Sequence, residues 1–168
     1  MVTRSTTYDY EQSSEGGRER HELIPWSRLT DATPTLGDPA QVTGLPAGTQ
    51  MTGTVINPGV VTTDPYVVMN VAHGAVYRHN VRNVVTYTAG PVAEATWRAI
   101  QIGDAVYYDP EQDVLNGVKL SLAPLQSDAA TLNALFGHIV MMQDEDSADF
   151  GKGTTLVGST HVCAVDQE

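Results

Sequence analysis

The sequence predicts an all-β fold, a small barrel or a compact β-sandwich with long loops and an extended N-terminal arm. Three observations predict it. From residue 51 onward, short runs of Val, Tyr and Thr are divided by Gly, Pro and Asn, the punctuation of strands and turns. The 15 Gly and 9 Pro put much of the chain in turns or extended backbone. Several connections are longer than tight hairpin loops, which favours a barrel with loop excursions over a plain meander. No long-range repeat is visible.

A chain of 168 residues fits one domain with a tail, and its 41% apolar content allows a real core. Only 17% of residues are charged, against about 25% in an ordinary soluble domain. Nine basic against twenty acidic residues give a formal charge of −11. That balance discourages wrapping of DNA or RNA, because phosphate binding draws on Lys and Arg. It is compatible with docking on a positively charged protein surface. The single cysteine, Cys163, excludes an intrachain disulfide. There is no basic segment followed by an apolar signal region, and no stretch is long enough to span a membrane. A cytoplasmic product assembled onto something larger is the expectation.

Residues 1–48 differ from the rest. Up to residue 20 the chain is polar, without helical or strand periodicity, and too poor in apolar side chains to order itself. Arg4, Arg18, Arg20 and Arg28 make it less acidic than the body. Leu23, Ile24, Trp26 and Leu29 form an apolar group around Pro25, and Pro34, Pro39 and Pro46 disfavour a helix or a central strand. The expectation is an extended or partly disordered arm over residues 1–48. Its apolar group either tucks onto its own domain or reaches a neighbouring subunit. Residues 49–168 form the β-rich domain.

In that domain, Val55-Ile56 leads to an Asn57-Pro58-Gly59 turn and Val60-Val61. Further strand-like runs cover residues 66–71, 75–77 and 81–87. Residues 92–100 contain helix formers but read as mostly extended. A Gly103-Asp104 turn feeds Ala105, Val106, Tyr107 and Tyr108. If regular, that strand points the two tyrosines to opposite faces. Asp109-Pro110 and Asn116-Gly117 read as turns around a hairpin or two neighbouring strands. Residues 124–133 read as a loop with one helical turn that Asp128 is suited to cap. Residues 136–142 and 160–165 read as strands, separated by an acidic loop with Asp144, Glu145, Asp146 and Asp149.

Candidate chemistry is thin. His73, His79, His138 and His161 lie in or beside strand-like runs, and His161 and Cys163 are two apart, so they share a strand face. Zinc needs further closely spaced ligands. Neither a Gly-x-Ser-x-Gly elbow nor a His-Glu-x-x-His motif is present. Asp104, Asp109, Glu111 and Asp113, like the later acidic loop, lack the spacing of a calcium loop and read as solvated turns. Asp104 is suited to holding its turn through nearby amides. Gly151-Lys152-Gly153 lacks the spacing of a phosphate loop. No catalytic residue, cofactor or metal ligand is assigned. Interaction surfaces are the strongest option, with Tyr66, Tyr77, Tyr87, Tyr107 and Tyr108 spread through the strand-like runs.

Four segments carry a resemblance: Ala95-Thr96-Trp97, the run from Gly103 to Asp109, Leu120-Ser121, and Phe136-Gly137-His138-Ile139-Val140. Across residues 54–165 the chain resembles a family of small phage-encoded proteins found beside major capsid genes, which includes capsid decoration (cement) proteins. The resemblance implies a non-enzymatic virion protein on the outer surface of the capsid. It further implies a homotrimer bound to the major capsid protein, made in the host cytoplasm, with no nucleic-acid or membrane partner. It makes Trp97, Gly103, Asp104, Val106 and Tyr108 fold-defining. The arm residues Leu23, Ile24, Trp26 and Leu29 become the expected capsid or intersubunit contact. The alternatives are another virion structural module, such as a head-fibre base or tail component, and a cysteine- or metal-dependent hydrolase.

Overall fold

Five strands close into a barrel at the centre of the chain. This computed structural model describes residues 19–59, 65–142 and 158–168. Outside them lie Arg4, Arg18, the Val60-Val61 pair, the acidic loop with Asp144, Glu145, Asp146 and Asp149, and the Gly151-Lys152-Gly153 segment. The barrel strands are β5 (Val76–Arg82), β8 (Ala105–Tyr108), β9 (Leu120–Ser121), β10 (Ala134–Met142) and β11 (Thr160–Gln167). Their order around the barrel is β10-β11-β5-β9-β8. All pairings are antiparallel except the short parallel contact of β5 with β9. Alternation places Val81, Val106, Tyr108, Leu120, Phe136, Ile139, Cys163 and Val165 in one core. Tyr108 is buried while Tyr107 is half-buried, as period-2 geometry requires.

Gly137 is where closure is tightest. A Cβ there would lie 2.8 Å from the Asp166 carbonyl carbon and 3.1 Å from Gln167 Cα, across the β10–β11 pairing. The register of β10 shifts against both neighbours close to this point, which bends the strand round the barrel.

A second sheet, ordered β1-β4-β3-β2, is built from β1 (His21–Pro25), β2 (Pro39–Val42), β3 (Met51–Asn57) and β4 (Tyr66–Asn70). After β1 the chain makes a 3-10 turn at Trp26–Arg28 and crosses to the opposite edge. There Leu29 bridges Val42, Thr30 N–H donates to the Gln41 carbonyl at 3.0 Å, and Thr43 N–H donates to the Arg28 carbonyl at 2.7 Å. One segment therefore binds both edges, and the sheet curls around its own core of Ile24, Leu29, Ala40, Val42, Val55, Val67 and Met69. This corrects the expected arm for residues 21–42, which hold both edge strands of an ordered four-stranded sheet. Periodicity failed there because each strand is only four or five residues long and prolines sit at their ends.

The other face of β3 and β4 packs on the barrel through Ile56, Val68, Ala72, Ala75 and Tyr77. A third, two-stranded ribbon pairs β6 (Val84–Thr88) with β7 (Ala93–Trp97), so residues 93–97 are extended, in line with the sequence. Arg82 clamps the ribbon to the barrel: its Nε and Nη2 donate to Glu94 at 2.7 and 3.0 Å, and these bonds hold the Glu94 carboxyl below its ordinary range.

The turn read at Asp109-Pro110 is instead the start of a helix, α1 (Pro110–Asn116). Asp109 is its N-cap, accepting from Gln112 N–H at 3.0 Å, Pro110 opens it, and Gly117 ends it at φ 69°. Asp128 accepts from the amides of Ala130 and Thr131 at 2.9 and 2.7 Å, but it closes a turn and caps no helix.

Candidate functional site

Three features stand out: a polar seam with a cleft, a buried carboxylate, and an exposed apolar patch. The seam lies between the second sheet and the barrel. Gln167 Nε2 donates to the carbonyls of Asn70 and Ala72 at 3.1 and 3.2 Å, which leaves Gln167 Oε1 as the acceptor of the Thr54 hydroxyl at 2.5 Å. The same hydroxyl oxygen lies 3.0 Å from His79 Nε2. His79 also packs edge-on against Phe136, with ring centroids 5.2 Å apart. Burial pulls its pKa down to about 4, against a small upward pull from Asp38, so the imidazole is neutral at pH 7.

A cleft of about 270 Å³ opens beside His79, lined also by Leu36, Asp38, Arg78, Asn80 and Lys119. Its origin is topological. The parallel pairing of β5 with β9 begins only at Val81 and Leu120, so residues 78–80 and 117–119 are not paired with each other. Lys119 Nζ sits 3.0 Å from Asp31 and 3.2 Å from Asp38, tying the second sheet's loops to the barrel. Burial lowers the Lys119 pKa, but the two carboxylates outweigh it and the net shift is upward.

Asp109, fully buried at the base of α1, accepts from Ser121 Oγ at 2.6 Å and from the Tyr87 hydroxyl, whose oxygen lies 3.1 Å from Gln112 Oε1. Burial raises the Asp109 pKa, only partly offset by these bonds, and burial beside that carboxylate raises Tyr87 as well. The cluster joins ribbon, helix and β9, with every named donor aimed at the carboxylate. Its chemistry is structural. Asp109→Asn is expected to cost about 1–2 kcal/mol, because the cap acceptor survives while two hydroxyls now meet an amide. Urea unfolding at pH 7 checks this.

The exposed patch lies on α1 and the loop before β10. Glu111 accepts from the amide and hydroxyl of Ser127 at 2.8 and 2.7 Å, which docks that helix face on the loop. Val114 and Leu115 follow Glu111 by three and four residues and so share its side of the helix. They are 87% and 40% exposed. On the loop, Leu125 bridges Leu132, which is 67% exposed.

The residues expected from sequence divide differently. Ile24 and Leu29 are each 8% exposed and Trp26 packs beside them, all within the second sheet's own core. They face their own chain, and among the four arm residues only Leu23, at 53%, is largely exposed. Gly103, at φ 93°, donates its amide to the Ile139 carbonyl at 2.7 Å. Asp104 accepts from Gln101 N–H at 2.7 Å and from both Arg98 Nη atoms at 2.7 and 2.9 Å. Val106 and Tyr108 are in the barrel core, and Trp97 Nε1 donates to Glu94 at 3.1 Å on the ribbon. Cys163 is enclosed in the barrel, its Sγ directed at the His161 carbonyl, while His161 Nε2 lies 2.9 Å from Ser159 Oγ. Among the described residues, no group of three or more His, Cys, Asp or Glu is placed to hold a metal ion.

Sequence reasoning missed the helix patch. Its signal was present: Asp-Pro followed by two acidic residues in a first turn and Gly after Asn116 is a helix start and stop. The chain matches no family model, no curated protein and no solved structure.

Proposed function

We propose that this protein is a non-enzymatic capsid decoration protein, binding the outside of a phage head and bridging adjacent capsomers. One observation supports the reading beyond the sequence resemblance: Val114, Leu115, Leu125 and Leu132 are exposed on a helix and a loop that the Glu111–Ser127 bonds join. Scattered exposed apolar residues are ordinary, whereas several gathered on one docked helix and loop mark an interaction surface. The partner is the major capsid protein. The protein acts as a homotrimer, so symmetry multiplies a modest contact into shell stabilisation.

Deleting residues 1–30 would remove β1 together with Ile24 and Leu29 of the second core, so single surface substitutions are the cleaner test. Leu132→Asp is expected to weaken binding to heads lacking the protein by more than about tenfold, the loss typical of an apolar anchor. Leu23→Asp should bind as wild type. Co-sedimentation with heads reads both; undiminished binding of Leu132→Asp moves the contact away from this patch.

A further inference from the structure

We infer that the patch on α1 and the loop before β10 docks a basic amphipathic segment of its partner. The partner's apolar side chains would cover Val114, Leu115, Leu125 and Leu132, with Lys or Arg beside them. This rests on the reading of the patch as the contact surface, and adds the chemistry of what it contacts. The charges around the patch carry it. Between Ala99 and Met142 the sequence holds a single Lys or Arg, Lys119. That one is spent elsewhere, 3.0 Å from Asp31 and 3.2 Å from Asp38.

The carboxylates beside the patch are bonded but not neutralised. Glu111, one helical turn before Val114 and Leu115, accepts only from the Ser127 amide and hydroxyl, which carry no charge. Asp128 lies in the turn between Leu125 and Leu132, and its donors are the Ala130 and Thr131 amides and the Thr131 hydroxyl. These bonds hold the Asp128 carboxyl below its ordinary range, so it stays ionised at neutral pH. The helix adds to the same sign. Its last turn, which bears Val114 and Leu115, has no basic side chain to offset the negative end of the helix dipole.

An apolar centre with anionic surroundings fits a cationic amphipathic partner, because burying the leucines brings the opposite charges together. A second copy of this chain fits poorly. A symmetric contact through the patch would set Glu111 and Asp128 near their own copies, on chains that each carry a formal charge of −11.

The test is a methyl nuclear magnetic resonance titration of the full chain at pH 7 with a short peptide of alternating Leu-Leu and Lys-Lys pairs. Saturable shifts are expected at Val114, Leu115, Leu125 and Leu132. The same peptide with Glu for Lys, and oligolysine of equal length, should give none that saturate there. Leu132 is 67% exposed, so Leu132→Asp and Leu132→Lys both keep the fold and lose the same anchor. The Lys variant should bind the Leu/Lys peptide about fivefold more weakly than the Asp variant. Saturation by the Glu peptide, saturation by oligolysine, equal affinities of the two variants, or no saturation at all would each overturn the inference. Shifts of these methyls with protein concentration alone would assign the patch to a second copy and overturn it too. Heads play no part in this titration. Its failure would leave decoration with a partner of other chemistry, whereas failure to bind heads beside a saturable peptide response would sink decoration alone.

Discussion

Gly137→Ala is expected to destabilise the protein by about 3 kcal/mol or more, lowering the melting temperature by roughly 10 °C. The new methyl would be driven into the backbone carbonyl of Asp166, and a carbonyl inside a strand has no flexible end to yield. Relief by sliding β10 is blocked on its other side, where Gly137 is opposite Val106 of β8. A closed barrel passes the strain to both neighbours. Gly103→Ala makes the control. Its Cβ meets nothing within 4 Å, so it should lose only the backbone preference at φ 93°, about 1 kcal/mol. Denaturant unfolding of the pair measures the difference. Equal losses would mean that β10 and β11 are not clamped at this position.

The second large effect is acid destabilisation through His79. Its folded-state pKa of about 4 lies below the ordinary 6.5 because burial disfavours the imidazolium. The unfolded chain therefore takes up a proton that the folded chain refuses. Stability from this group is intact above about pH 6.5 and falls as pH drops towards 4, by about 3 kcal/mol in all. Asp109 works in the opposite direction. Its raised pKa makes folding more favourable as pH falls between that raised value and the ordinary carboxyl value, so it offsets part of the loss. His79→Gln retains an amide donor for Thr54 and cannot be protonated. Unfolding free energies for both proteins at pH 7 and pH 4 should show the wild type losing about 3 kcal/mol more than the variant. Parallel pH profiles would mean that His79 charges freely in the folded state.

The barrel was legible in the sequence because its strands are runs of β-branched and aromatic residues with sharp boundaries. Ala105–Tyr108 and Thr160–Gln167 both sit beside glycine or turn residues, and the alternation of Ala105–Tyr108 survives in its burial pattern. The parallel pairing of β5 with β9 was not legible, since Val81 and Leu120 are far apart in sequence and share two residues of ladder. Residues 21–42 were misplaced for a related reason. Pro25 and Pro39 argue against central strands, yet both lie at strand ends, where a missing N–H is tolerated. The helix at Pro110–Asn116 was lost because Asp-Pro and Asn-Gly are equally good turn signals, and only seven residues lie between its cap and its closing glycine. The cleft had no local signature. Its lining comes from residues 36–39, 78–80 and 117–119, which only the folded chain brings together.

The decisive measurement for the proposed decoration role is cryo-electron microscopy of the phage heads on which that proposal places this chain, with its gene present and deleted. The account predicts outer-shell density at three-fold or local three-fold positions that disappears on deletion. It also predicts that this density contacts the capsid through the helix and loop bearing Val114 and Leu132. Heads whose outer surface is unchanged by the deletion would contradict it and direct the search to the tail.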